Sequence, residues 1–241
     1  MLNEGTVKKL EKSYSLAAEY LEEYFTQNPQ DKQKFFHSFH IRPTTSYFAI
    51  VCNNDSPRFA MRTLKARSKA ELFDGIKRAC TLIDELSLAQ ELPKAQIIEK
   101  YNFNPYELGK RKEQTEYVIQ AKFANYLKAM GYTLLATEFN IKSGKGGQRQ
   151  RVDIVARRGD ELWLVEIKDG DVETDAVDQV NEYKKIISQH KAFCWSLLSK
   201  MDEGLSMDFT VKTAVVYTTG EKSGEGIDKL WKYDGEAFNE E

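Results

Sequence analysis

The stretch that decides the fold runs from Val152 to Lys168 and reads VDIVARRGDELWLVEIK. Two apolar runs flank the turn-like RRGDE, so it reads as a β-hairpin turning near Gly159. Both runs are apolar on almost every residue, the mark of central strands covered on both faces. Alternation predicts Val152, Ile154 and Ala156 on one face, with Asp153 and Val155 on the other. On the second run Glu166 and Lys168 share a face with Leu162 and Leu164, while Trp163, Val165 and Ile167 point the opposite way. The hairpin then brings Asp153 opposite Glu166 and Lys168, at its open end.

Charges inside a covered sheet are costly unless they are partnered. A structural ion pair between Asp153 and Lys168 is one way to satisfy them. The other is a divalent cation, which relieves both the repulsion between two carboxylates and their lost hydration. Carboxylate oxygens with several retained waters suit Mg²⁺, and Mn²⁺ can substitute. A lysine two residues from a metal-bound carboxylate can hold a water or help deprotonate it. Such a group of residues is suited to hydrolysing a phosphodiester, with Lys168 and the metal stabilising charge that develops on the phosphate.

Outward from the hairpin, periodicity predicts a helix from about Lys112 to Met130, stopped by Gly131. YTLLATEFNI reads as a strand, and KSGKGGQRQ, with its three glycines, as a flexible basic loop. After the hairpin come a helix from about Thr174 to Gln189, a restart through AFCWSLLSKM, the core strand FTVKTAVVYTT and a short edge strand KLWKY. The order α-β-β-β-α-β predicts an α/β domain over residues 106–241, with a central mixed β-sheet flanked by helices.

Residues 1–105 read as an N-terminal α+β module of unassigned role. An apolar stripe of Val7, Leu10, Tyr14, Ala17, Leu21 and Tyr24 predicts a helix over 5–27, and TQNPQDKQ breaks it. SYFAIVC and RFAMRTLKA read as strands around the turn NNDSP. A helix follows over about 68–88, with Ser68 and Glu71 placed as a capping box. QELPKAQIIEKYNFNP reads as a short helix and linker. Arg58, Arg62, Lys65, Arg67 and Lys69 form a basic stripe that is either a solvated strand edge or a nucleic-acid contact.

The pattern D-(x)n-E-x-K, carried by RVDIV and LWLVEIK across a tight turn with a helix before them, resembles the PD-(D/E)XK nuclease superfamily over about residues 112–218. No proline precedes Asp153; Arg151 and Val152 stand there. DQVNEYKK places Gln179 and Tyr183 four apart on one helical face, similar to the Q-x-x-x-Y motif of the RecB-like branch. The resemblance implies a restriction-endonuclease-like core. It also implies metal ligation by Asp153, Glu166 and the Ile167 backbone carbonyl, catalysis with Lys168, and orientation of site and DNA by Gln179 and Tyr183. A first-helix glutamate often completes such a site; Glu116 is the best placed, with Gln120 one turn later and Glu113 as further choices.

The basic segment predicts nucleic-acid contacts at Lys142, Lys145, Arg149 and Arg151, with Lys184 extending the charge past Tyr183. The expected partner is DNA, with RNA as the alternative, and a homodimer is left open. A fold retained only as a binding or assembly module is the competing function. The 241 residues carry a formal net charge of −2, which argues against a globally basic nucleic-acid binder and for a localised footprint. Cys52, Cys80 and Cys194 form no CxxC pair, which argues against a zinc site and a disulfide framework and predicts a cytoplasmic setting. No apolar run reaches membrane-span length and no P-loop is present, so neither a membrane nor a nucleotide cofactor is expected.

Overall fold

The computed structural model describes residues 4–53, 59–61, 64–84, 96, 105–107, 115–143, 149–171, 174–219 and 224–241. Helix α1 (Glu4–Gln27) buries its predicted stripe at Leu10, Tyr14, Ala17, Leu21 and Tyr24. The break expected after it is a single residue: Asn28 separates α1 from α2 (Pro29–Ser38), which begins on a proline whose fixed φ suits a first helical turn. Strand β1 (Phe39–Pro43) was not expected from its polar letters, yet His40 and Arg42 are both buried in it. It pairs antiparallel with β2 (Phe48–Cys52). RFAMRTLKA, expected as one strand, divides between two sheets. Its first part is β3 (Phe59–Met61), and its second, β4 (Leu64–Ala66), pairs with β2. Helix α3 (Lys69–Asp84) is capped much as predicted: Ser68 Oγ accepts the Glu71 N–H at 3.2 Å, and the Glu71 carboxylate reaches back to the Arg67 N–H at 2.8 Å. Most of QELPKAQIIEKYNFNP lies outside the described residues, and β5 (Pro105–Glu107), which begins on its last residue, pairs with β3.

Helix α4 (Thr115–Ala129) ends in a Schellman motif. Gly131 takes φ +81° while its N–H binds the Lys128 carbonyl and the Tyr132 N–H binds that of Leu127. Strands β6 (Thr133–Ser143), β7 (Arg149–Arg158) and β8 (Glu161–Asp171) are successively antiparallel, and β7 turns into β8 through Gly159 at φ +58°. Helices α5 (Thr174–Gln189) and α6 (Lys191–Met201) form the long crossover that a parallel neighbour requires. It delivers β9 (Thr210–Thr219) parallel to β8; β10 (Lys229–Tyr233) is parallel to β9, and β11 (Phe238–Glu240) closes the edge. The order is β11-β10-β9-β8-β7-β6, so the chain is mixed α/β with a six-stranded mixed sheet and a small antiparallel sheet. KLWKY is therefore an inner strand, not the edge. The expected loop 142–150 is shorter than predicted, because Lys142 pairs with Gln150 and Ser143 with Arg149.

One sheet face, through Ile154, Trp163, Val165 and Val216, packs on Ile119, Phe123 and Leu127 of α4. The other, through Val155, Leu162 and Leu164, packs on Tyr183 and Ile187 of α5 and Leu197 of α6. That second cluster runs on without a break into Tyr14, Leu21, Phe35, Phe39 and Ile41 of the N-terminal elements. Along β7 alternation fails at one place: Val152 joins Val155's cluster instead of that of Ile154 and Ala156. The failure lies opposite Glu138, which takes φ +56° between Thr137 and Phe139, the partners of Ile154 and Val152. No helix among the described residues is long and apolar enough to cross a membrane.

Candidate active site

The paired register of β7 and β8 runs from Arg158↔Glu161 to Ile154↔Val165. At the next step Asp153 replaces main-chain pairing with its side chain: Oδ2 accepts the Ile167 N–H at 2.7 Å. This clasp fixes the aspartate beside the face that carries Glu166 and Lys168. The Lys168 ammonium donates to Glu166 Oε1 at 2.8 Å, while Glu166 Oε2 is buried without a protein partner.

These groups line a cavity of about 240 Å³. Helix α4 contributes Glu116, Tyr117 and Gln120, β6 contributes Glu138, β7 contributes Arg151 and Asp153, β8 contributes Glu166 and Lys168, and α5 contributes Gln179. Gln120 is buried and its Nε2 serves two acceptors, the Asp153 carbonyl at 3.0 Å and Glu138 Oε1 at 3.1 Å. Glu116, one turn earlier, is exposed at the rim. Glu113 lies outside the described residues. Tyr183 does not line the cavity; its hydroxyl accepts from Gln179 Nε2 and donates to the Arg151 carbonyl at 3.1 Å, tying α5 to β7 two residues before Asp153.

Glu138 is the residue that sequence reasoning missed. Its Oε2 accepts from Arg151 Nη1 at 2.9 Å and its own carbonyl accepts from Arg42 Nη1 at 3.0 Å. A left-handed backbone costs a non-glycine residue about 1–2 kcal/mol, and such strain collects at functional sites. The available signal was a lone charged residue inside the strand-like LLATEFNI.

The residues of the expected basic footprint lie in several places. Arg151 belongs to a strand and is held by Glu138 inside the cavity wall, not on a loop. Lys184 pairs with Asp228 at 3.1 Å, away from the cavity lining. Lys142 and Arg149 sit in the paired ends of β6 and β7, and Lys145 lies outside the described residues.

Burial pushes the Asp153 carboxyl well above its ordinary range, with Glu166 and then Glu138 adding repulsion. Burial likewise raises Glu166 to about 7, against the pull of Lys168. Lys168 is itself held above its ordinary value, since attraction to Glu166 and Asp153 outweighs the cost of burying an ammonium. Among the described residues no group of three or more His, Cys, Asp or Glu side chains is arranged to hold a metal ion. The donors at hand are two carboxylates and main-chain oxygen. That set fits Mg²⁺, which keeps several waters and takes only one or two carboxylates. The orphaned Glu166 Oε2 and the mutual repulsion of the pair fit the same cation. Comparison with known proteins finds no family model that matches the chain and no curated protein that matches it.

Proposed function

We propose that the chain is a Mg²⁺-dependent nuclease on a restriction-endonuclease-like core, hydrolysing phosphodiester bonds in DNA. The observation that carries this reading is the Asp153–Ile167 clasp. It sets a desolvated aspartate beside a buried glutamate that retains one unpartnered oxygen and a lysine that retains its charge. The element order α4-β6-β7-β8-α5-α6-β9 supports the same reading.

Asp153, Glu166 and the Ile167 main-chain carbonyl would hold the ion, which when bound would supply positive charge against the scissile phosphate. The protein's own groups do the rest. Lys168, as an ammonium, is a donor: it suits holding a water or a phosphate oxygen rather than removing a proton. Gln179 offers an amide at the cavity wall, and Tyr183 keeps β7 in register behind Asp153. Gln120 and Glu138 fix the aspartate's main chain, so the carboxylate meets its partners without reorganising.

The test is cleavage of plasmid, linear and branched DNA by the pure protein with Mg²⁺ or Mn²⁺. Cutting that disappears in Lys168→Ala, with an unchanged circular dichroism spectrum, supports the reading. Cleavage of RNA alone moves the substrate assignment. A wild-type protein that cuts neither DNA nor RNA, yet binds them equally well after Asp153→Ala, overturns it in favour of a binding module.

A further inference from the structure

The chain as a whole is slightly acidic, yet one groove of the N-terminal elements gathers cations and excludes carboxylates. It has a volume of about 450 Å³ and lies between α1, the β1–β2 turn and the start of α3. Lys9 and Lys12 reach it from α1, and Arg67 and Lys69 from the entry to α3; among the described residues no Asp or Glu lines it. Lys69 is engaged, paired with Glu23 and held over the Tyr20 and Phe73 rings. Lys9, Lys12 and Arg67 have no ion-pair partner among the described residues. Like charges brought together without counter-ions repel, and an anionic ligand would relieve that repulsion.

The wall chemistry narrows the anion. Tyr20 and Tyr47 form apolar rings along the groove, and Thr45 and Ser46 present hydroxyls from an exposed turn. Cations for phosphate, hydroxyls for phosphate oxygens and aromatic walls for bases are the elements of a groove for one nucleic-acid strand. The position agrees with that occupant. Ser13, in the groove wall, donates to the Thr44 carbonyl, and the next residue, Tyr14, donates to the Asn140 carbonyl of β6 at 2.8 Å. Arg42, two residues before Thr44, donates to the carbonyl of Glu138 in the candidate active site. Groove and cavity are thus linked through β1, by the buried Arg42 side chain.

We infer that the groove bounded by Lys9, Lys12, Arg67, Tyr20 and Tyr47 is a second nucleic-acid site, which grips the backbone of a single strand. The inference rests on the nuclease reading only for the choice of nucleic acid as occupant. Part of the basic stripe RFAMRTLKARSK thereby finds a place through Arg67 and Lys69, while Arg58 and Arg62 lie outside the described residues.

The test is fluorescence anisotropy of a labelled single-stranded oligonucleotide with the full chain, without divalent metal, so that cleavage plays no part. Lys9→Ala/Lys12→Ala is the working variant; both lysines are exposed and alanine favours a helix, so folding is retained. Arg67→Ala is a second, independent variant. Lys77→Ala/Arg158→Ala, which changes net charge equally at exposed positions away from the groove, is the control. The double variant should bind roughly tenfold more weakly, and its salt-dependence slope should fall by about 1.4, the value for two lost single-strand phosphate contacts. Unchanged affinity and slope in both groove variants overturns the inference even if the protein cuts DNA. So does an equal loss in the control, or a loss confined to duplex. A groove that binds as expected in a protein that never cuts leaves this inference standing and the nuclease reading refuted.

Discussion

Lys168 Nζ and Glu166 Oε1 stand 2.8 Å apart, and on the far side of the same carboxylate Oε2 is buried with nothing to bind. The lysine thus occupies one oxygen of Glu166 and leaves the other unpartnered. Removing the amine as Lys168→Ala takes away the charge that the proposed nuclease would set against the phosphate, without disturbing the apolar frame of β8. Cleavage should fall by about 10²–10³-fold, as read from initial rates at saturating Mg²⁺. A residual rate within a few-fold of wild type would show that Lys168 serves structure alone.

The Glu166 carboxyl titrates at about 7 in the fold against an ordinary value of 4.5. The folded state therefore holds this proton more tightly than the unfolded state does. The corresponding stability is fully present below the ordinary value and is lost as pH rises through about 7. Asp153, raised for the same reason, acts in the same direction. In metal-free buffer the melting temperature should drop between about pH 5 and pH 8, by several degrees for a loss on the order of 3 kcal/mol. Mg²⁺ at the upper pH should restore it, and Glu166→Gln should flatten the profile. A wild-type melting temperature that is level across this window counts against the buried, repelling pair.

Glu138 combines a strained backbone with a clasp on Arg151 and Gln120. Two substitutions separate those contributions. Glu138→Gln keeps the strain and removes the charge that balances Arg151, so it should cost about 1–2 kcal/mol in denaturant melts. Glu138→Gly relieves the strain, which offsets part of that loss, yet frees Asp153's support. Its activity should fall below that of Glu138→Gln even where its stability is higher. Equal activity in the two variants would mean that the side chain does not position the aspartate.

Tyr183 touches the cavity only through Gln179 and the Arg151 carbonyl. Tyr183→Phe leaves the buried ring in place and removes one hydroxyl. The expected cost is about 1 kcal/mol of stability, together with a drop in kcat at unchanged KM, because β7 loses its tether near Asp153. A change confined to KM would place the hydroxyl on the substrate instead.

The hairpin and its three charged residues were legible because their signals are local: alternation over a few residues and a glycine turn. Gln179 and Tyr183 were legible for the same reason, at one helical turn's spacing. Glu138 was not, because what makes it a site residue is its distant partners. Gln120 lies 18 residues away, Arg151 13 and Arg42 96. Strand β1 escaped notice because a buried histidine and arginine spell a loop until their partners are known. The same holds for Arg151 and Lys184, whose charges look available in one dimension and are matched by Glu138 and Asp228 in three.

The apolar cluster that joins Tyr14, Phe35 and Phe39 to Phe139, Val152 and Tyr183 makes α1, α2, α3 and the small antiparallel sheet a lid on the larger sheet rather than an attachment to it. A fragment of residues 106–241 would present that face to water and should precipitate, while the full chain should melt in a single calorimetric transition. The module therefore cannot be grafted onto another sheet as a cassette. Substitutions should be tolerated at the rim of the lid, while its underside must stay matched to the strands that hold Asp153.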